Sequence, residues 1–202
     1  MRTGWKFALV TLVAGFLLGF LDFVWIKFVP FPFGGLGNSS AVWAVAAFLF
    51  AYRARRGYVG GVLSAVVLLV VAVPSYYLAA FLIQDDRIGA LWSPVWTAFG
   101  VIAGVVFGAA GVTARRADRW QVAALAVPAA VLFAEALLIL GQGGDQNYRT
   151  SEIVETALID AGLGVALVLL FRVPWPRRWG ALLVAVPVAL VGLGMFALAG
   201  FA

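Results

Sequence analysis

The chain has 202 residues, 64% of them hydrophobic and 11% charged, and a formal net charge of +5. A mean hydropathy of +1.05 excludes an ordinary soluble domain, fits a polytopic helical membrane protein, and leaves no length for a separate soluble domain. The absence of cysteine and histidine excludes disulfides, thiol nucleophiles, thiolate metal sites, haem attachment and imidazole acid–base chemistry. Proton transfer is left to Asp, Glu, Tyr, Lys, Arg and water.

Taken in chain order, hydropathy predicts an all-α bundle of seven transmembrane helices forming a single integral membrane domain over residues 1–202. The spans are Phe7–Val29, Leu36–Tyr52, Tyr58–Ile83, Ala90–Thr113, Trp120–Leu140, Ile153–Phe171 and Trp179–Phe201. The first is longer than the apolar region of a secretory signal and lacks a small-residue cleavage site, so it reads as an uncleaved span. The second has a polar, flexible entry, Gly34–Gly35 and Gly37–Asn38–Ser39–Ser40, and reads as short or partly re-entrant. Pro74, Pro128 and Pro187 each fall inside a span and remove a backbone donor there. Gly15 with Gly19, and Gly100 with Gly104 and Gly108, have the four-residue spacing that lets helices approach closely, within the chain rather than between copies.

The connections alternate in charge. Arg2 and Lys6, Arg53, Arg55 and Arg56, Arg115, Arg116 and Arg119, and Arg172, Arg177 and Arg178 fall on one side. Arg87, Arg149 and Lys27 fall toward the other. The positive-inside rule places the N-terminus in the cytoplasm and the C-terminus outside. The basic residues are topology determinants, which argues against a nucleic-acid partner.

Three carboxylic acids interrupt the apolar runs: Asp22 in the first span, Glu135 in the fifth and Asp160 in the sixth. An ionisable group in hydrocarbon is costly and by default marks a functional site facing protein. Counted along the spans, each lies about 10 Å below the outer boundary. Trp43, Tyr76, Tyr77, Trp92, Trp96 and Thr97 fall in a similar layer. Transfer out of water disfavours a charged carboxyl, and adjacent carboxyls disfavour double ionisation, so a neutral acid is expected among the three. Aromatic faces stabilise a cation without offering a nucleophile. Acid, aromatic lining and dry surroundings are what protonation of an olefin requires.

Each residue also has a plainer role. A buried carboxyl can serve a structural hydrogen bond, Asp22 can pair with Lys27 at the interface, and the tryptophans can form an interfacial belt. No aspartate-rich segment is present to hold Mg²⁺ and a diphosphate, and there is no P-loop, dinucleotide fingerprint or voltage-sensor span, so no metal or other cofactor is expected.

Gly37-Asn38-Ser39-Ser40-Ala41-Val42-Trp43, Tyr76-Tyr77, Gly104-Val105-Val106-Phe107-Gly108-Ala109-Ala110-Gly111 and Phe133-Ala134-Glu135-Ala136-Leu137-Leu138 resemble the signature of a largely uncharacterised group of small actinobacterial integral membrane proteins. That group is similar in size and composition to the non-canonical membrane terpene cyclases of indole- and diketopiperazine-terpenoid pathways. The resemblance implies a plasma-membrane enzyme that protonates and cyclises a prenylated, lipophilic small molecule without metal. On that reading Glu135 is the proton donor or its activator, Asp160 and Asp22 are its partners, and Trp43, Tyr76, Tyr77, Trp96 and Asn38 bind substrate. The alternatives are a small-molecule-binding membrane subunit or proton-coupled transporter with an outward-facing acidic cavity, and a purely structural membrane protein.

Overall fold

The computed structural model describes residues 2–86, 93–141 and 149–198. Seven α-helices are present among them: α1 Arg2–Phe28, α2 Ser40–Ala54, α3 Tyr58–Gln84, α4 Pro94–Thr113, α5 Gln121–Gly141, α6 Thr150–Leu170 and α7 Trp175–Leu198, with a 3-10 segment, Phe33–Asn38, ahead of α2. All but α2 are long and apolar enough to cross a bilayer. The chain is therefore a polytopic helical membrane protein with six such helices and one shorter apolar helix.

α2 corrects the expected second span. Its 15 residues cover only about 22 Å at the α-helical rise. The glycine-rich entry winds instead as the 3-10 segment, and Ser39 ends it by accepting a hydrogen bond from the Val42 N–H at 3.1 Å. A serine at this position satisfies one of the helix's unpaired donors and fixes where α2 begins. The other boundaries also move. α4 starts at Pro94 rather than Ala90, whereas α6 and α7 start earlier than expected, at Thr150 and Trp175. The predicted end of the last span, Phe201, and the loop residue Arg87 lie outside the described residues.

The chain divides into two compact units, Met1–Val112 and Thr113–Ala202. In the first, α1 and α3 run side by side in the same direction because glycine lets them touch. A Cβ on Gly15 would stand 2.5 Å from the Leu68 carbonyl oxygen, and one on Gly19 would stand 1.9 Å from that of Ala72. α4 uses the same device against α3: a Cβ on Gly104 would lie 2.5 Å from the Val66 Cα. Helix association in lipid draws on such close packing, since no hydrophobic gain separates protein from acyl chain. The core of this unit is correspondingly small-sided, with Ala47, Ala51 and Ala65 packed around Leu68, Leu69 and Val112.

In the second unit α5 packs against both α6 and α7. Ala129, Ala130 and Ala134 are buried on α5, and Ala181, Ala185 and Ala189, one turn apart, are buried on α7. Gly164 of α6 sits where a Cβ would come within 2.8 Å of the Phe133 ring. The arginine-bearing end is fastened by side chains: Arg177 donates to the Gln121 side-chain oxygen, and Arg178 donates to the carbonyls of Val173 and Leu169 at 3.0 and 2.9 Å. Pro74, Pro128 and Pro187 all lie inside helices, as their positions predict.

Candidate functional site

The glycine contacts between α1 and α3 determine what meets one turn further on. Gly15, Gly19 and Asp22 share a face of α1 at helical spacing, and Leu68, Ala72 and Tyr76 share a face of α3. Continuing the register brings Asp22 and Phe23 alongside Tyr76. The Tyr76 ring meets Phe23 edge-on at 5.3 Å between centroids, Trp43 at 6.2 Å and Tyr77 at 5.5 Å. The Trp43 side chain hydrogen-bonds the Asp22 carboxyl, with the indole N–H as donor. Asp22 and Tyr77 both lie within electrostatic range of Tyr76.

The result is a half-buried carboxyl joined to Trp43 of α2 and beside Tyr76 of α3, whose ring packs in turn on Phe23, Trp43 and Tyr77. The edge-to-face geometry is the one that aromatic pairs prefer.

Lys27 does not pair with Asp22. Its ammonium donates to the Gln84 side-chain oxygen at 3.3 Å, and Gln84 donates in turn to Asp86 at 2.9 Å. This polar chain ties the C-terminal ends of α1 and α3 together. Just beside it, the Trp25 indole donates to the Phe33 carbonyl at 2.8 Å and anchors the 3-10 segment to α1. Asn38 is the last residue of that segment. Trp96, two residues into α4, packs on Phe99 and is 43% exposed. Trp92 lies outside the described residues.

Glu135 and Asp160 belong to the other unit. Both are buried, at 8% and 1% exposure, and they lie within electrostatic range of one another. Asp160 Oδ1 is fully enclosed with no hydrogen-bond partner among the described residues. Asp160 lies ten residues into α6, about 15 Å along its axis from Thr150. Glu155 is exposed on the same helix. Among the described residues, no three Asp, Glu, His or Cys side chains gather as metal ligands.

Asp22 belongs to the first unit, and Glu135 and Asp160 belong to the second. Sequence reasoning missed Phe23 and the Lys27–Gln84–Asp86 chain. The signal for Phe23 was its place beside Asp22, four residues after Gly19. Gln84 and Asp86 carried no signal until the parallel register of α1 and α3 was known.

One family model matches the chain over residues 1–201: a family of unknown function (DUF6518). No curated protein and no solved structure matches it.

Proposed function

The chain belongs to that family of unknown function, and from its own residues we propose that it is a membrane enzyme whose first unit protonates an olefinic, prenylated small molecule and so initiates a metal-independent cyclisation. The observation that carries this reading is the Asp22 carboxyl, hydrogen-bonded by Trp43 and beside Tyr76, whose ring packs on Phe23, Trp43 and Tyr77. Asp22 takes the role of general acid. Glu135 is set aside as donor because aromatic rings gather around Asp22, and those rings are what a cationic intermediate needs.

In the proposed reaction the neutral Asp22 carboxyl gives its proton to one carbon of a substrate double bond. The other carbon becomes cationic, and an internal double bond closes on it to form the ring. Loss of a proton from the cyclic cation to water restores neutrality, and a proton from solvent recharges Asp22. Product and substrate are isomers, so no oxidant, reductant or metal is consumed. Trp43 orients the acid, while Tyr76, Tyr77 and Phe23 face the developing charge. A lipophilic substrate enters laterally from the bilayer.

The same reading takes all seven helices as crossing a bacterial plasma membrane with the N-terminus in the cytoplasm. α2 and the 3-10 segment together cover about 34 Å, enough for hydrocarbon that α2 alone does not span. The arginine-bearing turns then all face the cytoplasm.

The test is to incubate the reconstituted protein with farnesyl- and geranylgeranyl-indoles and search the extract for a chromatographically new compound of unchanged mass. Such an isomer supports the cyclase. Complete recovery of every substrate by folded protein counts against it.

A further inference from the structure

The arginine-bearing end of the second unit has no part in this chemistry. There Gln121 draws two stretches of chain together: its side-chain N–H donates to the Ala114 carbonyl at 3.1 Å, and its side-chain oxygen accepts from Arg177. α5 and α7 also close on each other at this end, since a Cβ on Gly180 would stand 3.2 Å from the Val122 side chain. The turn that leads into α5 is therefore fastened to the turn that joins α6 to α7. We infer that these two turns form a docking surface for the phosphate headgroup of an anionic phospholipid.

Charge is the first support. Residues 114–121 and 169–180 carry Arg115, Arg116, Arg119, Arg172, Arg177 and Arg178 against a single acid, Asp118. Asp118 is turned to its own backbone, where it accepts from the Trp120 N–H at 2.9 Å. Arg178 donates to the carbonyls of Val173 and Leu169 at 3.0 and 2.9 Å. Those acceptors, like the Gln121 amide, are neutral, so Arg177 and Arg178 are held in place without losing their charge. A guanidinium carries more N–H donors than these bonds use, and its planar fork matches the oxygens of a phosphate. Arg119 and Arg172 are exposed on the same two turns.

Aromatic residues supply a second, independent support. Trp120, Trp175 and Trp179 are all exposed at this end. Trp175 and Trp179 meet edge-on at 5.5 Å between centroids. The guanidinium carbons of Arg119 and Arg178 stand 5.2 and 5.6 Å from the ring centroids of Trp120 and Trp175. α5, α6 and α7 are each apolar and long enough to cross a bilayer, and these rings sit where the helices end. Indole favours the boundary between acyl chain and headgroup, because its ring is apolar and its N–H polar. The arginines beside the rings then stand at the level of the lipid phosphates. A soluble anion would meet the arginines and leave the indoles in water. A phospholipid covers both, with acyl chain against the rings and phosphate on the guanidiniums. Near an anionic surface each arginine strengthens binding about fivefold.

The experiment is native mass spectrometry of the purified full chain in detergent, titrated with phosphatidylglycerol or with phosphatidylcholine of the same acyl chains. Phosphatidylglycerol should bind at least about tenfold more tightly. Arg119→Gln with Arg172→Gln should weaken its binding about tenfold or more at an unchanged melting temperature. Lys6→Gln with Arg53→Gln, a charge-matched exposed pair in the first unit, should leave it within about twofold. The comparison of the two lipids needs no variant, so the assignment stays testable if a double variant misfolds. Any of four results overturns it: equal affinity for the two lipids; equal loss in both double variants, which marks diffuse charge; displacement of the lipid by equimolar inorganic phosphate, which marks a free-anion site; or displacement by polyglutamate, which marks an acidic protein partner.

Discussion

The Trp43 indole donates to the Asp22 carboxyl, joining the first turn of α2 to the C-terminal third of α1. A hydrogen bond to a buried acid contributes on the order of 1–1.5 kcal/mol, so its loss is worth about tenfold in rate. Trp43→Phe should therefore cut turnover about tenfold and leave thermal stability within about 1 kcal/mol, because a ring remains against Tyr76. Asp22→Asn should abolish turnover in a folded protein. Steady-state rates beside melting curves in detergent check both.

The Asp22 site depends on how closely α1 approaches α3. Gly19→Leu puts side-chain carbon where the Ala72 carbonyl and Ser75 hydroxyl already stand. Overpacking of this kind typically costs about 1–3 kcal/mol, and occasionally more where backbone must shift. The variant should melt earlier or fail to accumulate in membranes. Gly4→Ala, whose Cβ meets nothing within 4 Å, should behave as the parent.

The absence of native cysteine makes topology directly measurable. A Cβ at Gly57 or Gly141 would meet nothing within 4 Å, so cysteine at either should be tolerated. Gly57 precedes α3 and Gly141 ends α5, which puts the two at opposite ends of the proposed spans. A membrane-impermeant maleimide should label Gly57→Cys only when the cytoplasmic face is exposed, and Gly141→Cys in intact cells. The reverse pattern would invert the orientation.

Leaving an oxygen of Asp160 enclosed without a partner costs stability, roughly 1–3 kcal/mol for a polar group. Asp160→Leu replaces it with an apolar side chain of comparable size. The variant should melt higher than the parent by about 1 kcal/mol of stability or more. A lower melting temperature would show that the carboxyl is satisfied and structural.

Much of the fold was legible because long apolar runs in a chain of this composition have few alternatives to helix. The prolines and the glycine spacings were also legible, because each has a geometric consequence wherever the helix goes. Helix ends were harder. α6 starts at Thr150 and α7 at Trp175 because polar first turns, Thr150-Ser151-Glu152 and Arg177-Arg178, wind as helix outside the apolar run. α2 is short because the Ser39 cap overrides hydropathy.

The residues around Asp22 were legible as candidates, but not their contacts. Counting residues along a span gives one coordinate, the distance from its end. Partners depend on which helices cross and in what register, and that was set by Gly15 and Gly19 against Leu68 and Ala72. Trp43 and Tyr76 were therefore recognised as candidates, yet their meeting with Asp22 required the packing of α1, α2 and α3.

The most direct test of Asp22 as a general acid is mass spectrometry of the reaction run in D₂O with prenylated indoles, comparing the parent protein with Asp22→Asn and Glu135→Gln. A cyclic isomer carrying one non-exchangeable deuterium should form with the parent and with Glu135→Gln, and none with Asp22→Asn. An isomer without deuterium, or one still formed at the parent rate by Asp22→Asn, would contradict a general-acid role for Asp22.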